Sequence, residues 1–257
     1  MPINPIRMTK DVLEKYRSYL LTTFHLSDPE LHGKFQEEIE KENALCKGPY
    51  IERLSRYRTG KSIGELVREG ILSEIFLRID QETLPSDRPL YAHQEMAVRK
   101  AVVQKKSFIV SAGTGSGKTE SFLIPVLNYL FRQIEESKLT PGVRALLLYP
   151  MNALANDQLA RIQSFLDQAG WRDTIRVAKY DCSTGQAERQ RLRENPPHIL
   201  LTNYMMLEYL LVRPADRENI FANHRCRFLV LDEVHTYRGI LGSNIALLVR
   251  RLKAHLS

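Results

Sequence analysis

Between residues 107 and 127 the chain reads SFIVSAGTGSGKTESFLIPVL: an apolar run, a glycine-rich turn, then an amphipathic run. Glycine is costly to order, so Gly113, Gly115 and Gly117 between two regular segments call for a backbone that bends where other residues are strained. The stretch fits the pattern small-x-x-x-x-Gly-Lys-Thr, with Ala112 in first place and Gly117, Lys118 and Thr119 closing it. A strand before such a loop and a helix after it let backbone N–H groups turn inward around phosphate oxygens, and the helix adds its positive end. Thr114, Gly115, Ser116 and Gly117 then form the cradle. Lys118 reaches the β- and γ-phosphates, and the Thr119 hydroxyl is placed to ligate Mg²⁺.

The same alternation runs through the second half of the chain. Apolar runs at 107–111 (SFIVS), 145–149 (ALLLY), 175–180 (IRVAKY), 198–202 (HILLT) and 228–232 (FLVLD) predict strands. Segments of helical spacing, NALANDQLARIQSFLDQ and NYMMLEYLLV among them, lie between. The fold class this implies is α/β, a parallel sheet between helices, with ligands at the carboxyl ends of the strands. Met205, Met206, Leu207, Leu210 and Leu211 are expected in its core.

FLVLD carries Asp232 and Glu233 to such a strand end. With a phosphate loop in the same chain, Asp232 is expected to hold Mg²⁺ and Glu233 to take the proton from the attacking water. His235, two residues on, is either structural or couples nucleotide to a second site.

Residues 1–86 differ. DVLEKYRSYLLTTF sets Val12, Leu13, Tyr16, Tyr19, Leu20 and Phe24 near one helix face, and PELHGKFQEEIEKENALC reads as a second, charged helix. Ser62 with Glu65 three residues later marks a helix start. The proline-bearing 80–89 reads as a linker, so the expected division is a helical extension at 1–86 and the phosphate-loop domain at 87–257.

Composition adds limits. The 37 Lys and Arg against 30 Asp and Glu give a net charge of +7, which suits a polyanionic partner. Cys46, Cys182 and Cys226 are scattered, which supports neither a disulfide framework nor a zinc site. No signal-peptide pattern opens the chain and no apolar window spans a bilayer, so an intracellular protein with no membrane partner is expected.

Together these elements resemble the first motor domain, RecA-like, of a superfamily 2 helicase of the DEAD/DEAH-box type. AGTGSGKT looks like its motif I and DEVH its motif II. LYAHQEMAVRKAV is similar to the adenine-reading Q motif, which implies that Gln94 reads the base with Tyr91 as a stacking neighbour. LLLYPMNALANDQL resembles motif Ia, matching Pro150, Asn152 and Ala153. STGQAERQRLRENPPHILLTNYMMLE resembles the next nucleic-acid motifs, with Thr184, Gly185, Thr202 and Asn203 near a strand backbone. DEVHTYRGILGSNIALLVRRL is similar to the YprA/MrfA and Hrq-type branch of DNA helicases, and GPYIERLSRYRTGKSIGELV to large bacterial helicases of anti-phage defence. The resemblance implies ATP and Mg²⁺ as cofactors, DNA as partner before RNA, a role in DNA repair or defence, and a bacterial cytoplasm.

Two departures stand out. Met151-Asn152 replaces the usual Thr-Arg or Thr-Lys, removing one basic backbone contact. No Ser-Ala-Thr motif or second RecA-like domain follows within the chain, which implies the front of a longer protein, nearly inactive alone.

Residue chemistry agrees with a backbone-directed strand contact: short polar groups at strand ends grip phosphates without reading bases. Arg189, Arg191 and Arg193 are either part of that surface or a solvated face. Thr202 and Asn203 read equally as a helix cap. Two other functions stay open: a regulatory module docking a protein partner through 1–86, and a phosphate-loop enzyme that never meets nucleic acid.

Overall fold

Strands with hardly a polar side chain need cover on both faces, and the second half of the chain supplies it. The computed structural model describes residues 4–48, 56–79, 84–113, 115–221 and 225–256. The chain divides into two compact units, Met1–Arg56 and Tyr57–Ser257. The first contains α1 (Pro5–Thr23) and α2 (Pro29–Glu40), each with proline in its first turn and capped by Asn4 or Asp28. α1 buries none of its residues, and Val12, Tyr16, Tyr19 and Phe24 from its apolar pattern are exposed.

The second unit opens with β1 (Thr59–Ser62) and α3 (Ile63–Arg68). Ser62 and Glu65 close the expected capping box, with bonds of 3.2 and 2.8 Å to each other's backbone N–H. β2 (Pro89–Tyr91) pairs antiparallel with β1 and leads into α4 (Ala92–Val98). Then follow α5 (Lys118–Glu135), β3 (Ala145–Leu148), α6 (Asn152–Gln168), β4 (Val177–Tyr180) and α7 (Gln186–Glu194). β5 (Ile199–Thr202), α8 (Tyr204–Val212), α9 (Pro214–Ile220), β6 (Phe228–Leu231) and α10 (Gly239–Leu256) complete it.

Four strands form a parallel sheet in the order β4-β5-β3-β6. Alternation splits its side chains between two cores. Ala145, Leu147, Tyr149, Ile199 and Leu201 pack with Leu123, Ile124 and Leu127 of α5 and Ile162 of α6. Leu146, Leu148 and Leu200 pack with Leu207 and Leu210 of α8 and Leu248 of α10. Each such leucine contributes about 1.5–3 kcal/mol when fully buried. Buried Asp216 accepts from Arg193 Nε at 2.7 Å and from the Tyr180 hydroxyl at 3.1 Å, so Arg193 serves the fold and not a solvated face.

Three expectations are corrected. The apolar run 107–111 is not a strand, and its Ile109 is 85% exposed. A strand needs a neighbour's N–H and C=O groups, and among the described residues β6 pairs only with β3. Met205 is exposed, because Met206 and Leu207 occupy the inward positions of α8. Third, the expected linker ends one residue sooner, since Pro89 is the first residue of β2, while residues 80–83 lie outside those described. The compact boundary also differs from a division at residue 86: Ile63, Leu66, Leu72 and Phe76 share one core with α5. No helix among the described residues is long and apolar enough to cross a membrane.

Candidate nucleotide and nucleic-acid site

The glycine loop adopts the backbone its composition demands. Gly115 and Gly117 have φ of 74° and 70°, the left-handed region that favours glycine. A Cβ at Gly117 would come 2.4 Å from Gln94 Nε2, so glycine is needed there for space as well. α5 begins at Lys118 with no side-chain cap, leaving its first-turn N–H groups directed at the loop. Lys118 donates to Ala112 O across the loop at 3.2 Å. Ser116 is buried, and its hydroxyl has no hydrogen-bond partner among the described residues. Thr114, expected in the cradle, lies outside the described residues.

Gln94 sits beneath this loop rather than beside open space. It is 6% exposed, donates to Gly117 O at 2.9 Å, and accepts from Tyr91 N at 2.8 Å. His93 Nε2 lies 3.0 Å from Ser116 O. The YAHQ turn therefore clamps the loop backbone through two side chains.

Beside the clamp is a group of rings. Tyr91 stacks on His93 with centroids 5.7 Å apart, and Tyr57 tilts against Tyr91 at 5.3 Å. A Cβ on Gly113 would lie 2.6 Å from the Tyr57 hydroxyl, so this ring reaches the start of the phosphate loop. Sequence reasoning missed Tyr57. Thr59 lies opposite Tyr91 in the β1–β2 pair and Ala92 N donates to Arg58 O at 2.8 Å, a pairing that local periodicity does not reveal.

The acidic arm is set by strand register. Leu148 pairs with Leu231, and Asp232 N donates to Leu148 O at 3.0 Å. Burial pushes the Asp232 carboxyl above its usual range; the Glu233 N–H and the Lys118 charge oppose this, while the Glu233 carboxylate adds to it. Asp232 therefore lies within the electrostatic field of the loop lysine. Glu233 has φ of 46°, in the left-handed region that a residue bearing a Cβ rarely adopts, and it turns the chain out of the strand. Its carboxylate meets His235 Nδ1 at 3.2 Å.

The next strand ends meet at an asparagine pair. Asn203 donates to Asn152 Oδ1 at 2.7 Å and accepts from Met206 N at 2.9 Å, capping α8. Asn152 Nδ2 approaches Cys182 Sγ at 3.5 Å, tying in the loop after β4. Pro150 is half-buried beside the exposed Met151. Thr184 Oγ1 accepts from Asp181 N at 2.9 Å, and Gly185 begins α7 with open space at its Cα. Thr202 is different: it is buried, and its hydroxyl donates to Tyr180 O at 2.6 Å, so its side chain is spent inside the sheet. Arg189 lies over the Tyr180 ring and donates to Thr184 O at 2.9 Å, while Arg191 stays exposed.

Among the described residues no three His, Cys, Asp or Glu side chains gather to hold a metal unaided. Mg²⁺ takes oxygen ligands and keeps water, one or two protein groups sufficing when phosphates supply the rest. Thr119 at the head of α5 and Asp232 at the end of β6 are such oxygen ligands, and the unpartnered Tyr149 hydroxyl lies within the field of Asp232. The residues fit the ion.

Residues 91–257 match the model of the DEAD/DEAH box helicase family. The chain is 28% identical to the Druantia protein DruE of Escherichia coli strain UMEA 4076-1, across 96% of this chain and 19% of that one. It is 36% identical to the ATP-dependent helicase YprA of Bacillus subtilis strain 168, across 64% of this chain and 20% of that one. The chain thus spans about a fifth of the length of these relatives. Among solved structures, the DUF1998 helicase MrfA bound to DNA and AMPPNP superposes with a TM-score of 0.64 at 29% identity, over 79% of this chain and 26% of that one.

Proposed function

Because the chain belongs to the DEAD/DEAH box helicase family, we propose that it is the ATP-binding first motor domain of a DNA helicase or translocase, completed by a second RecA-like domain. The observation that carries this reading is the approach of the two arms: Asp232, placed by the β3–β6 register, lies in the field of Lys118 at the head of α5. Gly115, Ser116 and Gly117 surround the phosphates, and Lys118 leaves Ala112 O to reach them. Thr119 and Asp232 would hold Mg²⁺, which supplies charge neutralisation between the phosphates. Glu233 accepts the proton of the attacking water. Gln94 secures the loop, and the base lies against Tyr57, Tyr91 and His93. His235, bonded to Glu233, is positioned to report nucleotide state to the strand site.

For the nucleic acid, Pro150, Asn152, Thr184, Gly185 and Asn203 form the backbone contact, with Thr202 contributing main chain only. A DNA-bound structural relative supports DNA over RNA. Likeness to the Druantia protein along nearly the whole chain favours a defence role over repair, in a cytoplasmic setting, and within residues 1–86 the unburied α1 offers the surface for a protein partner. The test is anisotropy with matched DNA and RNA strands across a salt series, with and without an ATP analogue. Salt-sensitive binding that weakens in Asn203→Ala is expected; equal, salt-independent signals would overturn the strand reading. In protein carrying both motor halves, Glu233→Gln should bind ATP and fail to turn it over.

A further inference from the structure

Tyr149 carries a hydroxyl that the fold does not use. The residue is 0% exposed, and its phenol oxygen has no hydrogen-bond partner among the described residues. Phenylalanine would fill the same space without burying an orphaned polar atom, so the fold alone gives no reason for the hydroxyl.

Register indicates its direction. Leu148 pairs with Leu231, which makes Tyr149 and Asp232 the next positions along neighbouring parallel strands. Side chains at paired positions share a face, and Tyr149 belongs to the face with Leu147 and Val230, against α5. Asp232 emerges on that side, where its charge acts on Tyr149 and the Lys118 charge at the head of α5 acts on it. Arg161 also acts on Tyr149 and is ion-paired with Glu120, whose second carboxylate oxygen is itself buried without a partner. Tyr237, which also feels the Asp232 charge, is a second buried hydroxyl without a partner among the described residues. Burial first, and the Asp232 charge second, push it up to about 12, so it too stays a donor.

We propose that Tyr149 is a positioning residue for Asp232, its hydroxyl donating to water held on that carboxylate when Mg²⁺ and nucleotide bind. The proposal rests on the reading of Asp232 as the magnesium-holding acid. It assigns Tyr149 a role through Asp232 and none in contact with the nucleotide.

The test uses the 257-residue chain and a fluorescent ATP analogue titrated with Mg²⁺, comparing Tyr149→Phe, Asp232→Asn and the double variant. Tyr149→Phe should raise the half-saturating Mg²⁺ about five-fold, the scale of one hydrogen bond between uncharged groups, here hydroxyl and water. Affinity in EDTA should be unchanged, and the double variant should be no worse than Asp232→Asn. Its nucleotide-free melting temperature should equal or exceed that of the unsubstituted chain, because an orphaned hydroxyl has been removed. A lower melting temperature with weakened EDTA binding would mean the hydroxyl is structural, overturning the proposal. Unchanged Mg²⁺ dependence in Tyr149→Phe alongside a shift in Asp232→Asn would overturn it alone. If Asp232→Asn also leaves the Mg²⁺ dependence unmoved, the metal reading of Asp232 fails and the proposal with it.

Discussion

The site is built from two arms that look alike in sequence and are held in different ways. SFIVS and FLVLD are both short apolar runs leading into chemistry. The second becomes β6, hydrogen-bonded in register to β3, and that ladder delivers Asp232. The first forms no strand, and its loop is held by Gln94 and His93 gripping the carbonyls of Gly117 and Ser116. One arm is positioned by backbone pairing, the other by side-chain clamps. An apolar run is thus a strand only when a neighbour supplies the other half of its hydrogen bonds.

The largest expected effect falls on the clamped arm. Lys118→Ala should weaken nucleotide binding by roughly 10–100-fold, the scale of one charge-assisted contact, measured with a fluorescent analogue. An intact affinity would mean that the loop is not the phosphate site. On the paired arm, Leu147→Ala removes a side chain that is 1% exposed at the centre of the sheet. It should cost about 2–5 kcal/mol in chemical denaturation. The same arm has a pH signature. His198 precedes β5, accepts from Arg176 N at 3.0 Å, and burial, with Arg176 and Arg144 nearby, lowers it to about 4. A histidine depressed in the fold contributes stability above its unfolded value of about 6.5. That contribution is lost as pH falls toward 4, so the unfolding free energy from urea titrations should drop between about pH 6.5 and 4, by up to about 3 kcal/mol.

Gln94→Ala should break the clamp while leaving the sheet intact. It leaves Gly117 O and Tyr91 N without their partner, and a loss of about ten-fold in nucleotide affinity is expected. Loss of the fold itself would mean that the two arms are not independently held. The smallest effect sharpens the contrast most. Ile109→Lys should change stability by less than about 0.5 kcal/mol, because the side chain is exposed. A penalty of several kcal/mol would show that 107–111 joins β6 as a strand after all.

Much of this was legible from residues alone. The runs at 145–149, 198–202 and 228–232 became β3, β5 and β6, and α5 and α6 start at Lys118 and Asn152 as their spacing implied. Local periodicity encodes these because burial on both faces leaves no room for polar residues. Tyr57 was not legible, since only the pairing of Thr59 with Tyr91 brings it to the loop. Nor was the loss of Thr202 to the sheet, decided by its contact with Tyr180 on a neighbouring strand.

By itself the sequence determined that a glycine loop would turn with left-handed residues into a helix headed by lysine and threonine. It also determined that a carboxylate pair would stand at the end of an apolar strand. Both follow from steric limits and burial acting over a few neighbouring residues. Only the tertiary structure decided which runs would find a partner, that Gln94 would face the loop backbone, and that Tyr149 would lie beside Asp232 with a hydroxyl to spare. Those outcomes depend on strand register and on contacts between residues far apart in the chain, where no local pattern in the sequence records the partner.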